Sequence, residues 1–333
     1  MSEPAFDNND EKLEVILDID CDAWGELSLG GIQTFQSAVH RFTYSQLNSS
    51  DSVVLRFNHV AINSPIGDNL VDVTKTAELI KILITDYGTV SLDLGKGYTT
   101  DCDSSAAMEK AFKDNENQSK ITSVEITDWG CSSIQFVQYL KNLVHLDLSW
   151  VDLHGKLGTL KHMQRGLLFL RLVDCSLNNE DLAQLMESCH QETLKELDFE
   201  YNDFSYDANF NNLIRLCQNL TNVLILKLCC CGLSSWPINE MKLLVYSLKQ
   251  MPHIVNLDLS GNGFVLDIIR VHVLVLHENL SLRLLKLSLP TDNLNFLTPN
   301  LGEQYISEIK SFLSTINGKI NIGRPQVLYI RFE

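Results

Sequence analysis

Residues 167–177 read Leu167-Leu168-Phe169-Leu170-Arg171-Leu172-Val173-Asp174-Cys175-Ser176-Leu177. Apolar residues at 167, 170, 172 and 177, with a cysteine at 175, define the frame apolar-x-x-apolar-x-apolar-x-x-(Asn/Cys)-x-apolar. Three later stretches fill it: Leu194/Leu197/Phe199/Asn202/Phe204, Val223/Leu226/Leu228/Cys231/Leu233 and Ile254/Leu257/Leu259/Asn262/Phe264. Two looser copies come before it, Ile121/Val124/Ile126/Trp129/Cys131 and Leu143/Leu146/Leu148/Val151/Leu153. The alternation inside each copy implies a short strand with its fixed residues on one face. A unit this small cannot bury that face alone, so copies must stack.

The frame is the leucine-rich-repeat signature, and the chain resembles that family over roughly residues 121–294. The resemblance implies an α/β solenoid shaped as a horseshoe, with a parallel β-sheet on the concave face and helices on the convex face. Opening positions at 121, 143, 167, 194, 223, 254 and 284 are separated by 22, 24, 27, 29, 31 and 30 residues. The short steps leave room for a tight turn or brief helix. The long ones predict helices over 179–190, 208–217, 237–249 and 266–277, the second-last started by Pro237 behind Ser234 and Ser235. Units of this length resemble the ribonuclease-inhibitor-like class of the family.

Outside that region the frame degrades. Residues 1–11 are expected to be a disordered acidic lead, and 12–333 a single repeat domain. Within it, 12–120 would hold degenerate repeats and an N-terminal cap, 121–294 the regular repeats, and 295–333 a C-terminal cap. Strands are expected at 13–19, at a copy over 55–62 that opens on Ser52, around Leu92 and Leu94 (with Gly97 in the Asn/Cys slot), and at 327–332. Helices are expected over 32–47, 68–87, 104–114 (capped by Ser104 or Ser105) and 305–316. Pro290, which cannot donate to a ladder, suggests a sheet near its end.

Composition narrows the function. The 333 residues are 45% hydrophobic, enough for a continuous core, and carry a net charge of -16 from 42 acidic and 26 basic residues. That balance argues against tracking nucleic-acid phosphates or adhering to anionic membranes, and favours a protein partner with a basic segment. The first ten residues are polar and acidic, unlike a signal peptide, and no stretch approaches the roughly 20 apolar residues of a membrane span. Nine cysteines in that setting read as reduced thiols, which places the protein in the cytoplasm or nucleus.

Stacked strands turn equal frame positions into columns. One column is expected to run Asp18, Arg56, Asp93, Glu125, Asp147, Arg171, Asp198, Lys227, Asp258, Ser288. Another includes Ser149, Val173 and Glu200, and the next Asp128, Trp150, Asp174, Tyr201, Cys230 and Gly261; Phe169, Glu196 and Ile225 share a fourth. Trp150, Phe169 and Tyr201 thereby stand among Asp128, Asp147, Asp174, Glu196, Asp198 and Glu200. Exposed aromatics ringed by charge have the composition of a protein-binding hot spot.

Chemistry-bearing motifs are weaker. Cys229-Cys230-Cys231 lacks the paired spacing of a zinc site; Cys231 and Cys175 occupy the Asn/Cys slot, where a buried side chain bonds the turning backbone. Cys229 and Cys230 fall on the concave side as accessible thiols. Asp18, Asp20 and Asp22 lack the glycine and final carboxylate of a calcium loop, and Gly95-Lys96-Gly97 lacks the phosphate-loop spacing. No catalytic residue, cofactor or metal site is therefore expected. The leading expectation is a non-catalytic scaffold or adaptor.

A GTPase activator similar to the leucine-rich-repeat activator of Ran would use Arg56 or Arg171, though the chain ends in Tyr329-Ile330-Arg331-Phe332-Glu333 without that family's acidic tail. A substrate receptor of a cullin-type ubiquitin ligase would use the helical pairs Leu185/Cys189 and Leu213/Cys217, though no F-box-length segment precedes Leu13.

Overall fold

Every strand that the frame produces has one apolar side, and the chain covers those sides by stacking strands in sequence order. The computed structural model describes residues 14–23, 52–62, 73–85, 88–93, 102–127, 134–205, 211–276, 278–289 and 327–332, with positions 307, 311 and 314. One sheet runs from β1 to β11: β1 (Glu14–Ala23), β2 (Ser52–Ile62), β3 (Ser91–Asp93), β4 (Ser123–Glu125), β5 (His145–Asp147), β6 (Phe169–Arg171), β7 (Glu196–Asp198), β8 (Ile225–Lys227), β9 (Asn256–Asp258), β10 (Leu284–Leu289) and β11 (Val327–Phe332). All adjacent pairs are parallel. Parallel neighbours need a crossover between them, and helices fill those crossovers on the convex side. The fold is a leucine-rich-repeat α/β solenoid.

Crossover length decides what the convex side holds. Among the described residues the two short steps contain only 3-10 turns, Gln135–Tyr139 and Leu157–His162. Elsewhere the crossovers carry α1 (Val73–Thr85), α2 (Cys102–Asp114), α3 (Asn179–Met186), α4 (Asn211–Asn219), α5 (Ile238–Gln250) and α6 (Leu266–Leu276). The expected helix over 179–190 is two pieces, α3 and a 3-10 turn at Cys189–Glu192. Helix α2 begins at Cys102, so Ser104 and Ser105 lie inside its first turn and do not cap it. Nor does a serine cap α5: Pro237 holds the cap position, and the Ser235 hydroxyl instead donates to the Gly232 carbonyl at 2.8 Å.

The fixed residues make one continuous core. Leu146, Leu148, Leu170, Leu172, Leu197, Phe199, Leu226, Leu228, Leu257 and Leu259 are all buried, each contributing about 1.5–3 kcal/mol by leaving water. Helical residues such as Leu182, Leu213, Leu244 and Ile269 close it from behind.

At both ends the pairing register differs from the expected columns. Leu257 pairs with Leu285, so the tenth copy is framed on Leu282, Leu285 and Leu287, all buried, and Lys286 takes the column position expected for Ser288. Leucines at 282, 284, 285, 287 and 289 satisfy two frames equally, and neither has Asn or Cys in its slot to decide between them. Likewise Leu92 pairs with Val60, and Ala61 with Asp22, so Arg56 and Asp18 pair with each other away from the main column. The sheet nears its end at Pro290, with the expected last strand beyond it. β10 stops at Leu289, one residue short of it, and β11 pairs with β10 along its whole length. The expected lead 1–11, the helix over 32–47, Gly97, Trp129, Cys131 and most of 305–316 lie outside the described residues.

Candidate protein-binding face

The face is shaped by how each strand ends. In the Asn/Cys slot the Asn202 carbonyl oxygen accepts the N–H groups of Cys175 (3.0 Å) and Leu177 (3.2 Å), while its amide donates to Leu172, Phe199 and Glu200. Asn262 repeats the pattern two repeats further on, accepting from Cys231 and Leu233 and donating to Leu228, Leu259 and Ser260. Cys175 and Cys231 sit buried in the same slot and donate to Leu148 and Phe199 carbonyls at 3.0 and 3.2 Å. Burial pushes the Cys175 thiol up to about 12. These are the roles expected of both cysteines.

Swinging the slot residue inward requires the residue before it to turn left-handed. Trp150 (φ 61°), Asp174 (51°), Tyr201 (60°), Cys230 (54°) and Gly261 (69°) all do so. The first four also donate their N–H to the next repeat, Trp150 to Val173 at 2.7 Å and Tyr201 to Cys229 at 3.0 Å among them. For a residue with a Cβ this conformation costs about 1–2 kcal/mol, and of the five only Gly261 avoids it. It also throws the side chain off the sheet: Trp150 is 52% exposed and Tyr201 57%. Two large aromatics thus occupy positions where glycine or asparagine would be less strained.

Phe169, 40% exposed, stands in the column on the other side of Arg171. Its register neighbour is His145, whose ring lies 5.7 Å from that of Phe169, centroid to centroid. Ile225, half-buried, continues the column beyond Glu196. Sequence reading missed His145, although its place before the second apolar residue is the place of Phe169. Beside Ile225 lies a shallow hollow of about 130 Å³, lined by residues that include Glu196, Lys227, Asn256, Asp258 and Lys286.

The acidic ring is less open than expected. Asp147 and Asp198, predicted as outward carboxylates, are buried. Each bends back to accept the N–H two residues on, Ser149 at 2.9 Å and Glu200 at 3.1 Å, as Asp258 does for Ser260. Cations on intervening strands engage them as well. Arg171 reaches Asp147 at 3.3 Å and Asp198 at 3.4 Å; Lys227 reaches Asp198 at 2.8 Å and Glu196 at 3.3 Å; Lys286 reaches Asp258 at 3.0 Å. Six consecutive strands therefore alternate acid and base. Burial alone would lower the Lys227 pKa, but its bond to Asp198 and that group's charge raise it instead.

Of the remaining predicted acids, Asp174 is exposed and Glu196 and Glu200 are half-buried, while Asp128 lies outside the described residues. Burial, then the charge of Asp198, raises the Glu200 pKa. Val173 and Ser149, expected on the outer face, are buried.

Two other predicted features find structural roles. Leu213 and Cys217 are both buried in the core, and so is Leu185, while Cys189 is exposed and lies beyond the end of α3. Cys229 and Cys230 do reach the concave side, half-buried, with their sulfurs 3.5 Å apart. Among the described residues no helix is long and apolar enough to cross a membrane.

No family model matches the chain, and no curated protein matches it. Among solved structures it is similar to an internalin from Listeria monocytogenes, with 13% sequence identity and a TM-score of 0.38, over 71% of this chain and 73% of that one.

Proposed function

We propose that the protein is a non-catalytic interaction scaffold, cytoplasmic or nuclear, that binds a partner protein on the concave face. Trp150, Phe169 and Tyr201 are its anchors. One observation carries this reading: Trp150 and Tyr201 are held exposed in a left-handed conformation that folding itself would assign to a smaller residue. Strain kept at exposed aromatics is the mark of a site selected for contact. The helix-bearing long units support placing the repeats in the ribonuclease-inhibitor-like class.

The carboxylates divide into two roles. Asp147 and Asp198 organise the turns and hold Arg171 and Lys227. Asp174 and Glu200, beside the aromatics, are the ones available to steer a basic segment, with Glu196 at the margin. A GTPase-activating role finds less support, because Arg171 already spans two carboxylates.

The test compares proteins captured by the wild type and by Trp150→Ala/Phe169→Ala/Tyr201→Ala, with thermal unfolding as the folding control. Partners should be lost at retained stability. An unchanged set of partners would remove the proposed face.

A further inference from the structure

Consecutive strand residues normally point to opposite faces, so adjacent cysteines should hold their thiols apart. Here they do not. Cys229 follows β8, and the left-handed turn at Cys230 brings its side chain back beside its neighbour, leaving the sulfurs 3.5 Å apart. The surrounding repeats leave space for both. On one side the Ser260 hydroxyl donates to the Cys229 sulfur at 3.5 Å. The adjacent Gly261 has no Cβ, and one built there would fall 2.2 Å from the Cys230 sulfur and 3.4 Å from that of Cys229. On the other side lies Tyr201, whose phenol pKa is raised by the neighbouring Cys230 and Cys229.

We propose that Cys229 and Cys230 form a vicinal-dithiol site for trivalent, pyramidal thiophiles of the arsenic(III) type. The sulfur separation selects this ligand class. With bonds of about 2.3 Å, as for thiolate–zinc, one bridging atom between sulfurs 3.5 Å apart closes at an angle of roughly 100°, which suits a pyramidal centre. A linear two-coordinate ion with such bonds would need sulfurs about 4.6 Å apart. Zinc would need further ligands, and among the described residues no group of three His, Cys, Asp or Glu side chains could hold a metal. A direct disulfide fits worse than a one-atom bridge, because consecutive Cα atoms lie only about 3.8 Å apart, short of the roughly 4.4–6.8 Å that disulfides span.

The chemistry with phenylarsine oxide is balanced without redox change. Each sulfur forms one bond to arsenic, the arsenic–oxygen bond breaks, and the two thiol protons leave with that oxygen as water. Burial pushes the Cys229 thiol up to about 12, so it enters this exchange as the protonated thiol.

The test is native mass spectrometry of the full chain with equimolar phenylarsine oxide, challenged first by excess 2-mercaptoethanol and then by 2,3-dimercaptopropanol. Wild type should keep one adduct against the monothiol and lose it to the dithiol. Cys229→Ser and Cys230→Gly, the latter placing glycine in a left-handed position, should each weaken retention about 100-fold by removing the chelate. Cys189→Ser, which changes an exposed cysteine outside the pair, should retain the adduct. A monothiol-resistant adduct surviving in both pair variants, or none forming on the wild type, would overturn the proposal.

Discussion

The middle of the sheet and its ends are built by different rules. From β4 to β9 each strand is three residues long, whereas β1 and β2 run for 10 and 11 residues and β10 and β11 for six each. Apolar content does not explain the contrast, since Leu284–Leu289 is as leucine-rich as any regular copy. The slot does. Where Cys175, Asn202, Cys231 or Asn262 stands, its side chain satisfies the backbone of a turn and the ladder stops. In the Leu282 frame the slot falls on Pro290, which has no side-chain polar group for that purpose, and pairing continues to Leu289. β5 is equally short with Val151 in its slot, so the polar side chain accompanies the short strands from β6 to β9 and is not needed for every one.

The most damaging way to break the contrast is Asn202→Ala. It strands the buried N–H groups of Cys175 and Leu177 and the Leu172 carbonyl, while the Phe199 and Glu200 carbonyls keep other donors. Each orphaned buried group costs about 1–3 kcal/mol, so a total of about 4 kcal/mol is expected. Urea unfolding measures it. A loss below about 1 kcal/mol would mean that the slot decorates the turn and does not create it.

The next effect comes through pH. His272 on α6 is buried against the Phe264 ring, and its Nδ1–H donates to the Ile268 carbonyl at 2.7 Å. Burial lowers its pKa from 6.5 to about 4. The unfolded chain then binds the proton more tightly, so stability is full above pH 6.5 and falls as the pH drops towards about 4. The span corresponds to about 3 kcal/mol. His190, in the middle of the solenoid, is lowered by burial too, with Nδ1 accepting from Leu167 and Nε2–H donating to Leu160. Urea unfolding at pH 7 and pH 4.5 should show His272→Phe flattening part of the slope. An identical slope in the variant would place the acid sensitivity elsewhere.

What could be read from residues alone follows the same division. In the middle, four slots and the spacing of fixed leucines leave one frame, and Leu146, Leu170, Leu197, Leu226 and Leu257 are all buried as that frame requires. At the ends, 57/60/62 competes in β2 with 52/55/57, which opens on Ser52, and 282/285/287 and 284/287/289 both fit in the tenth copy. Apolar alternation alone repeats every two residues and cannot choose. The candidate face was legible as positions but not as states. Asp147 and Asp198 were placed in the right column, yet their burial depends on cations one strand away. The positive φ of Trp150 and Tyr201 was hidden because neither residue type signals it.

A smaller loss is expected from Asp198→Ala. It removes one of two carboxylate partners from each of Arg171 and Lys227, which keep Asp147 and Glu196, and removes the acceptor of the Glu200 N–H. Solvent screening limits the cost to about 1–2 kcal/mol. The Glu200 pKa, raised in part by the charge of Asp198, should fall back towards its usual value. An NMR titration of Glu200 that shows no change would remove that coupling.

The smallest effect has the opposite sign. Trp150→Asn places at φ 61° a residue that tolerates the left-handed region, while giving up a ring that is 52% exposed. Relief of about 1–2 kcal/mol of backbone strain is set against the packing lost from the buried part of the ring, and a net gain of about 0.5 kcal/mol is expected. Gly261 serves as the internal control, because Gly261→Asn in the same column has no strain to relieve and a Cys230 sulfur to displace. It should destabilise. If differential scanning calorimetry finds Trp150→Asn destabilising as well, the indole is a structural clamp over its neighbours, and the strain at position 150 is the cost of folding. A gain in stability means the chain holds a less stable residue there than it could, and contact with a partner is then the property that keeps it.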